Sequence, residues 1–425
     1  MNAVKKPKIV IDPILGLIDV TEVIPLIDTA PFQSLGFKYQ LGLAFQIFPA
    51  ATHTRKEHSL GAYARTKKLA AEWLRHGFIN EKQALNLPVF ALYHDIGHGP
   101  FSHVTENLGS VDHNERGLRF IEGLKDVIAG AGFDYEEIYG FFSRKDPLYL
   151  GVSDKNLGME KLDYLERDAF YTIGEKVGVE YLAHHVYFID GKLVINEVAV
   201  DQSKDIQDFY IKMYKHVYGR KKGAILNRLV EKMTSLLIKD GLTEEELFNL
   251  TDFGLLGRFD VSSNERVKFH YDNFKQGVFP KQALEFKYED VSRHESSGPQ
   301  KFTKVMGIPS DVFDNIVFSP NWNDVGFIDK LEKEIAGLTG VPENCLIVVP
   351  PQERRRVEPD DINVYTQSGA VKKISEIYPD HFRAMKEYGR SNMNLRVAGY
   401  GDYRKKIFDQ AEKVRNCIES MEFKK

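Results

Sequence analysis

Cysteine is nearly missing from this chain. Two residues, Cys345 and Cys417, build neither a disulfide framework nor a thiolate zinc site. A reducing, cytoplasmic setting is the expectation that follows. Long apolar runs are missing too: nothing approaches the ~18 consecutive apolar residues that span a bilayer. The lysines at positions 5, 6 and 8 are followed by no apolar stretch or small-residue cleavage site, so neither a membrane anchor nor a leader is expected. Excess positive charge is the third absence. With 57 Lys and Arg against 61 Asp and Glu, the net charge is -4, which leaves no broad basic stripe for nucleic acid. Internal repeats and low-complexity segments are also absent. What remains is a globular composition, 43% hydrophobic and 28% charged, in 425 residues that suffice for one large domain and a smaller one.

Against that background one stretch is dense in chemistry. His94, Asp95, His98 and His103 fall within ten residues. The apolar run at 89–93 reads as the last turns of a buried helix over about 88–95. Gly97 and Gly99 break it, and Pro100 suits the first turn of a short helix over about 100–107. Adjacent His94 and Asp95 offer one nitrogen and one oxygen ligand at a helix end. His58 opens another helix, over about 56–76. A third, over about 155–173, carries Glu160, Lys161, Tyr164 and Asp168 within a ~100° arc, either a solvated face or the wall of a polar site. Imidazoles and carboxylates gathered from separate elements are what a metal site of this kind requires.

The rest of the pattern is mostly helical. A helix is expected over about 31–42, and Asp112 with Glu115 opens another that runs to about 127. Asp190-Gly191 between apolar runs signals a hairpin, the stretch 203–240 is helical, and Thr243 with Glu246 makes a capping box. From about 265 the texture changes. Short apolar runs at 316–318, 346–349 and 362–365 alternate with turn residues and read as strands. The fold class expected is mostly α: a helical core over residues 1–264, then a smaller α+β region over 265–425 that closes on a helix at about 403–421. The run Arg354-Arg355-Arg356 reads as a solvated loop.

Three blocks carry a resemblance. The first runs from Phe48 to Gly61 (Phe-Pro-Ala-Ala-Thr-His-Thr-Arg-Lys-Glu-His-Ser-Leu-Gly). The second runs from His94 to His103, and the third from Glu160 to Asp168 (Glu-Lys-Leu-Asp-Tyr-Leu-Glu-Arg-Asp). In this order they resemble the HD-domain metal-dependent phosphohydrolases. Within that family they are similar to the branch of bacterial dGTPases and animal SAM-and-HD-domain deoxynucleoside triphosphate triphosphohydrolases. The matching regions cover about residues 25–225, roughly half of the chain.

The resemblance implies roles position by position. His58, His94 and Asp95 match three ligands of a divalent metal ion (Mn, Fe, Zn, Ni or Mg). The family's fourth ligand is an aspartate, and Glu160 stands in its place, one methylene longer. His103 and Glu106 match the pair that shapes acid–base chemistry at the scissile phosphate, and His98 matches a phosphate-facing histidine. His113 matches the acid for the leaving oxygen, although Asn114 follows it where the family often has glutamate. Arg55, Lys161 and Tyr218 match phosphate-binding positions. Tyr164 and Asp168 match those framing the deoxyribose, and Gln40 the one reading the 3′-hydroxyl. Asp28 and Gln33 match part of an activating-nucleotide site, but Gly36 replaces its arginine. The implied activity is hydrolysis of a deoxynucleoside triphosphate (dNTP) to deoxynucleoside plus triphosphate, by a homo-oligomer. Two rivals stand beside it. One is an HD-type phosphodiesterase or phosphatase acting on another nucleotide. The other is a nucleotide-binding protein catalytically weakened through Glu160. Nucleic acid and membrane are not expected partners.

Overall fold

The computed structural model describes residues 6–291, 302–351 and 360–424, so the Arg354–Arg356 run lies outside the described residues. Helices dominate, and the described residues fall into two compact units. The first comprises residues 6–102, 111–213 and 360–383. The second comprises 103–110, 214–291, 302–351 and 384–424. The boundary expected at 264/265 therefore falls inside the second unit. Among the described residues no helix is long and apolar enough to cross a membrane.

The first unit is built around three helices, α1 (Arg55–Arg75), α2 (Glu81–Tyr93) and α3 (Met159–Thr172), with α1 packed against both of the others. Helix α1 starts where it does because Thr54 and Glu57 form a capping box. It is buried on several faces, so Leu60, Tyr63, Leu69 and Trp73 share it with His58, Arg55 and Arg65. Each fully buried large apolar side chain of this kind contributes about 1.5–3 kcal/mol. Helix α2 begins seven residues before the expected Pro88. Asn80 and Gln83 make the capping box that starts it, and Pro88 is carried inside the helix. Helix α3 starts at Met159 rather than near 155, because the Asp154 carboxylate accepts from the amides of Asn156 and Leu157 and holds a turn there. Gly158 caps it; a β-carbon at that position would lie 2.3 Å from the Val152 carbonyl oxygen.

The expected helix over 31–42 is shorter and broken, with Ala30–Ser34 α-helical and Leu35–Phe37 and Gly42–Gln46 in 3-10 turns. The hairpin appears as read, with Asp190 and Gly191 at φ 50° and 74°, the left-handed pair of a tight turn. It is extended by a parallel strand at Asn363–Tyr365 and an antiparallel one at Val371–Lys373. The apolar run at 362–365 is thus a strand, but it returns to the first unit's sheet.

In the second unit a four-stranded sheet runs in the order Lys304–Ile308, Lys281–Tyr288, Leu395–Gly399, Leu346–Val349. Helix α4 (Lys221–Lys239) packs on it and also meets the short helix His103–Glu106. The strand expected at 316–318 is instead the end of helix Ser310–Val317. There Phe313, Ile316 and Val317 fall at i, i+3 and i+4 on the buried face, a helical period that a three-residue run does not reveal. The stretch expected to be one helix over 203–240 is interrupted. Val200–Met213 closes its part of the first unit, and a π turn, Tyr214–Tyr218, precedes α4. The closing helix is likewise two, Tyr403–Asp409 and Ala411–Ser420.

Candidate active site

His58 sits in the first turn of α1, and His94 and Asp95 follow the last turn of α2. The contact between α1 and α2 brings them together. All three are buried, and one ligand atom from each lies within 4.8 Å of the others. The outer nitrogens decide what this cluster is. His58 Nδ1 is 2.9 Å from Asp163 Oδ2. Burial would raise the Asp163 carboxyl, but the Arg167 guanidinium and then His58 hold it far below the usual carboxylate range, so it only accepts. His94 Nδ1 is 2.7 Å from the Ala91 carbonyl oxygen, which also only accepts. Both Nδ1 atoms therefore carry protons, and both Nε2 lone pairs point inward. These nitrogens are 3.2 Å apart. Two lone pairs at that distance repel unless a positive charge lies between them. Asp95 adds oxygen, with Oδ1 3.3 Å from His94 Nε2 and Oδ2 4.0 Å from His58 Nε2. Two imidazoles fixed from behind, one by a carboxylate and one by a carbonyl, with one carboxylate beside them, suit a divalent metal ion.

Electrostatics agree with the geometry. Burial works against a charged His94, yet Asp95 and then Glu160 outweigh it and lift the imidazole above its ordinary value. Burial likewise works against a charged Asp95, but Arg55, His94 and His98 hold it well below the carboxylate range. The cluster favours positive charge. Glu160, half-buried on α3, acts on His94 and Tyr164 through its field but stands outside the trio that converges.

Cations are buried on α1 and α3 as well. Arg55 is buried and forms an ion pair with Asp95, while its Nε donates to Ser102 Oγ. Lys161 is buried too, its Nζ 4.1 Å from the centre of the Tyr210 ring. Among the described residues no carboxylate lies within ion-pair distance of it, and burial lowers its ammonium to about 8. A buried cation resting only on an aromatic face is an incomplete anion site. His98 stacks on His113 at 4.1 Å and lies 3.2 Å from Asp95 Oδ1. Burial, with Arg55 and His113 adding to it, keeps His98 well below the usual imidazole range and so neutral. The turn carrying these groups is tightly built. A β-carbon on Gly97 would lie 2.0 Å from the His113 carbonyl oxygen, and Arg116 Nε donates to the Gly97 carbonyl. Phe101 and Ser102 adopt φ 51° and 54°, a left-handed conformation that side chains other than glycine's make costly.

Further along α3, Asp168 is buried and its Oδ1 is 2.8 Å from His53 Nε2. Tyr164 meets His58 edge to face at 6.2 Å, and burial, then Tyr210 and the nearby carboxylates, keep its phenol neutral. Gln40 Oε1 is buried with no donor in reach among the described residues. The face of α3 that carries Glu160, Lys161, Tyr164 and Asp168 is thus not a solvated surface: Lys161 and Asp168 are buried and Glu160 and Tyr164 half-buried. His103, Glu106 and Tyr218 belong to the second unit. There His103 Nδ1 lies 2.9 Å from Glu106 Oε2 on an exposed turn, and Tyr218 packs against the unit's core. Of the effector-site matches, Gln33 is engaged locally, donating to the Ile27 carbonyl and accepting from Lys56, while Asp28 is exposed.

Sequence reasoning missed Asp163, Arg65, Arg167 and His53. The Asp163–Arg167 spacing of i, i+4 was a readable ion pair, but its use as a clamp behind His58 was not. Gly61 permits that clamp, since a β-carbon there would lie 2.1 Å from Asp163 Oδ1.

Residues 55–136 match the family model of the HD domain. A putative HD domain-containing protein of Acanthamoeba polyphaga mimivirus is 29% identical over 314 residues, 60% of this chain and 64% of that protein. The deoxynucleoside triphosphate triphosphohydrolase SAMHD1 homolog of Dictyostelium discoideum is 27% identical over 301 residues, 62% of this chain and 57% of that protein. Human SAMHD1 is 28% identical over 279 residues, covering 52% and 43%. The matches span less than two thirds of these relatives' own lengths. The crystal structure of a phosphohydrolase from Bacteroides thetaiotaomicron has the same fold, with a TM-score of 0.69 at 21% identity, covering 93% of this chain and 100% of that one.

Proposed function

From the HD-domain match over residues 55–136 and the likeness to dNTP triphosphohydrolases, we propose a metal-dependent dNTP triphosphohydrolase of the HD-domain phosphohydrolase family that releases deoxynucleoside and inorganic triphosphate. One observation carries the reading: the Nε2 atoms of His58 and His94, each backed by an acceptor at Nδ1, lie 3.2 Å apart with Asp95 beside them. Such a cation slot fits metal-assisted hydrolysis of a phosphate ester, and α3 adds a buried lysine that, among the described residues, has no carboxylate at ion-pair distance.

His58, His94 and Asp95 would hold the metal, with Glu160 proposed as the fourth ligand. When bound, a divalent cation supplies Lewis-acid polarisation of water and of a phosphoryl oxygen. The chain's residues do the rest. Lys161, Arg55 and Tyr218 bind triphosphate oxygens. His98, its one N–H held by Asp95, faces the α-phosphoryl group, and the His103–Glu106 pair takes the proton of the attacking water. The new bond joins the water oxygen to the α-phosphorus, the bond to O5′ breaks, and His113 protonates that oxygen. Tyr164 packs against C2′, where a ribose hydroxyl would be excluded, and Asp168 with Gln40 receives the 3′-hydroxyl. Assembly as a cytoplasmic homo-oligomer belongs to the same reading.

The test is direct. Purified protein is incubated with each dNTP, singly and mixed, and with ribonucleotides, in Mn or Mg, and inorganic triphosphate is assayed. Release from deoxynucleotides is expected; none from any dNTP or mixture overturns the reading. Glu160 standing outside the converging trio is the observation that favours a weakened, nucleotide-binding alternative. Metal content per chain after purification separates the two.

A further inference from the structure

Among the buried polar side chains to which the proposed mechanism gives no task, His53 lies on the block that precedes α1. His53 is 2% exposed. Its ring lies parallel to Tyr171, centroids 4.6 Å apart and planes 10° from each other, which fixes the ring plane. In that plane Nε2 is 2.8 Å from Asp168 Oδ1. The carboxylate oxygen accepts, so Nε2–H donates, and Nδ1 is left as a lone pair with no partner among the described residues. The backbone of the same residue does a second thing. The His53 carbonyl accepts from the Gln40 amide at 3.0 Å, inside a short antiparallel pairing that joins Tyr39 to Thr54 and the Arg55 amide to the Lys38 carbonyl. Gln40 then presents a buried Oε1 that, among the described residues, meets no donor.

We infer that His53 is the positioning residue of the sugar subsite: its ring sets the Asp168 carboxylate and its carbonyl holds the Gln40 backbone, the two residues that the dNTP reading assigns to the 3′-hydroxyl. The ligand group this selects is a sugar hydroxyl, the 3′-hydroxyl of the nucleotide. The inference rests on the dNTP reading above. It adds that discrimination at this hydroxyl runs through a residue that never touches the substrate. A histidine buried only for packing would not need its ring aligned with one carboxylate oxygen, nor would a neighbouring amide be left with an empty buried acceptor.

The experiment compares a dNTP with its 2′,3′-dideoxy counterpart, by kcat/KM for triphosphate release and by calorimetric binding, in wild type, His53→Phe and His53→Gln. Wild type is expected to favour the 3′-hydroxyl by about a hundredfold or more. His53→Phe keeps the ring stack but removes the donor, so the preference falls by about tenfold or more while the dideoxy substrate is handled as before. His53→Gln restores a donor to Asp168 and most of the preference. A preference unchanged in His53→Phe, or a loss shared equally by both substrates, overturns the His53 assignment alone. A wild type that treats both nucleotides alike in binding as well as turnover overturns the sugar reading of the proposed function, and this inference with it. Should His53→Phe not fold, Tyr171→Leu, which frees the ring but keeps the donor, is expected to lower the preference in the same selective way, and an unchanged preference there overturns the assignment.

Discussion

The Asp163 carboxylate, three residues beyond Glu160, never faces the cluster's centre, yet it decides the tautomer of His58. Replacing Asp163 with Asn leaves His58 free to protonate either nitrogen. Mn or Zn affinity is then expected to fall about 10–100-fold, measured by metal titration; an unchanged affinity would show that the Nδ1 contact does not set the lone pair. Glu160 offers the complementary case. Its carboxylate already acts on His94 but stands outside the converging trio, so Glu160→Asp, which draws the group toward α3, is expected to raise metal occupancy. Metal analysis of the two purified proteins decides it, and lower occupancy in the variant would count against a ligand role for this position. Lys161 belongs to the same scale. Lys161→Met removes a buried ammonium that, among the described residues, rests on an aromatic ring with no carboxylate at ion-pair distance, so the melting temperature should rise while nucleotide affinity drops at least about tenfold. Calorimetry on both proteins checks the two changes together.

Between helices the deciding feature is how closely α1 and α3 approach. Gly61 on α1 leaves no room for a β-carbon against Asp163 and Arg167 on α3. Gly61→Ala should therefore cost about 1–3 kcal/mol in a denaturant melt and reduce metal occupancy in the same preparation. A variant as stable as wild type with full occupancy would show that α3 can step back without harm. At this scale the sequence was legible where signals are local. Asp112 with Glu115 and Thr243 with Glu246 mark helix starts that the structure confirms, and Asp190-Gly191 marks a turn. The start expected for helix α2 at about 88 falls seven residues late, because the Asn80–Gln83 capping box opens the helix at Glu81 and Pro88 is carried inside it. The run at 316–318 was taken for a strand because three apolar residues cannot separate a period of 2 from one of 3.6.

For the molecule as a whole, acid is the informative stress. His270, in the second unit, is buried beside Tyr400, and burial, together with Lys232, Arg266 and Arg228, lowers its imidazole to about 3. The unfolded chain takes up this proton near pH 6.5 and the folded chain only near 3. Between those values the unfolded state binds more protons, so stability falls as pH drops through that window, by several kcal/mol in total. His270→Leu should flatten this part of the stability curve in denaturant melts from pH 7 to pH 4; an equally steep loss in the variant would assign it to other groups. The protein's class was open from composition and blocks of residues: two cysteines, no spanning run, and His58 and His94-Asp95 set at helix ends with glycines behind them. Those features are local, fixed by spacing along a helix and by the chemistry of each side chain. Tertiary packing alone decided the rest. It brought His58 to Asp163 and His53 to Asp168 across more than a hundred residues of chain, and it returned residues 360–383 to the first unit's sheet. Such pairings depend on which faces the helices bury against one another, and no short stretch of sequence carries that information.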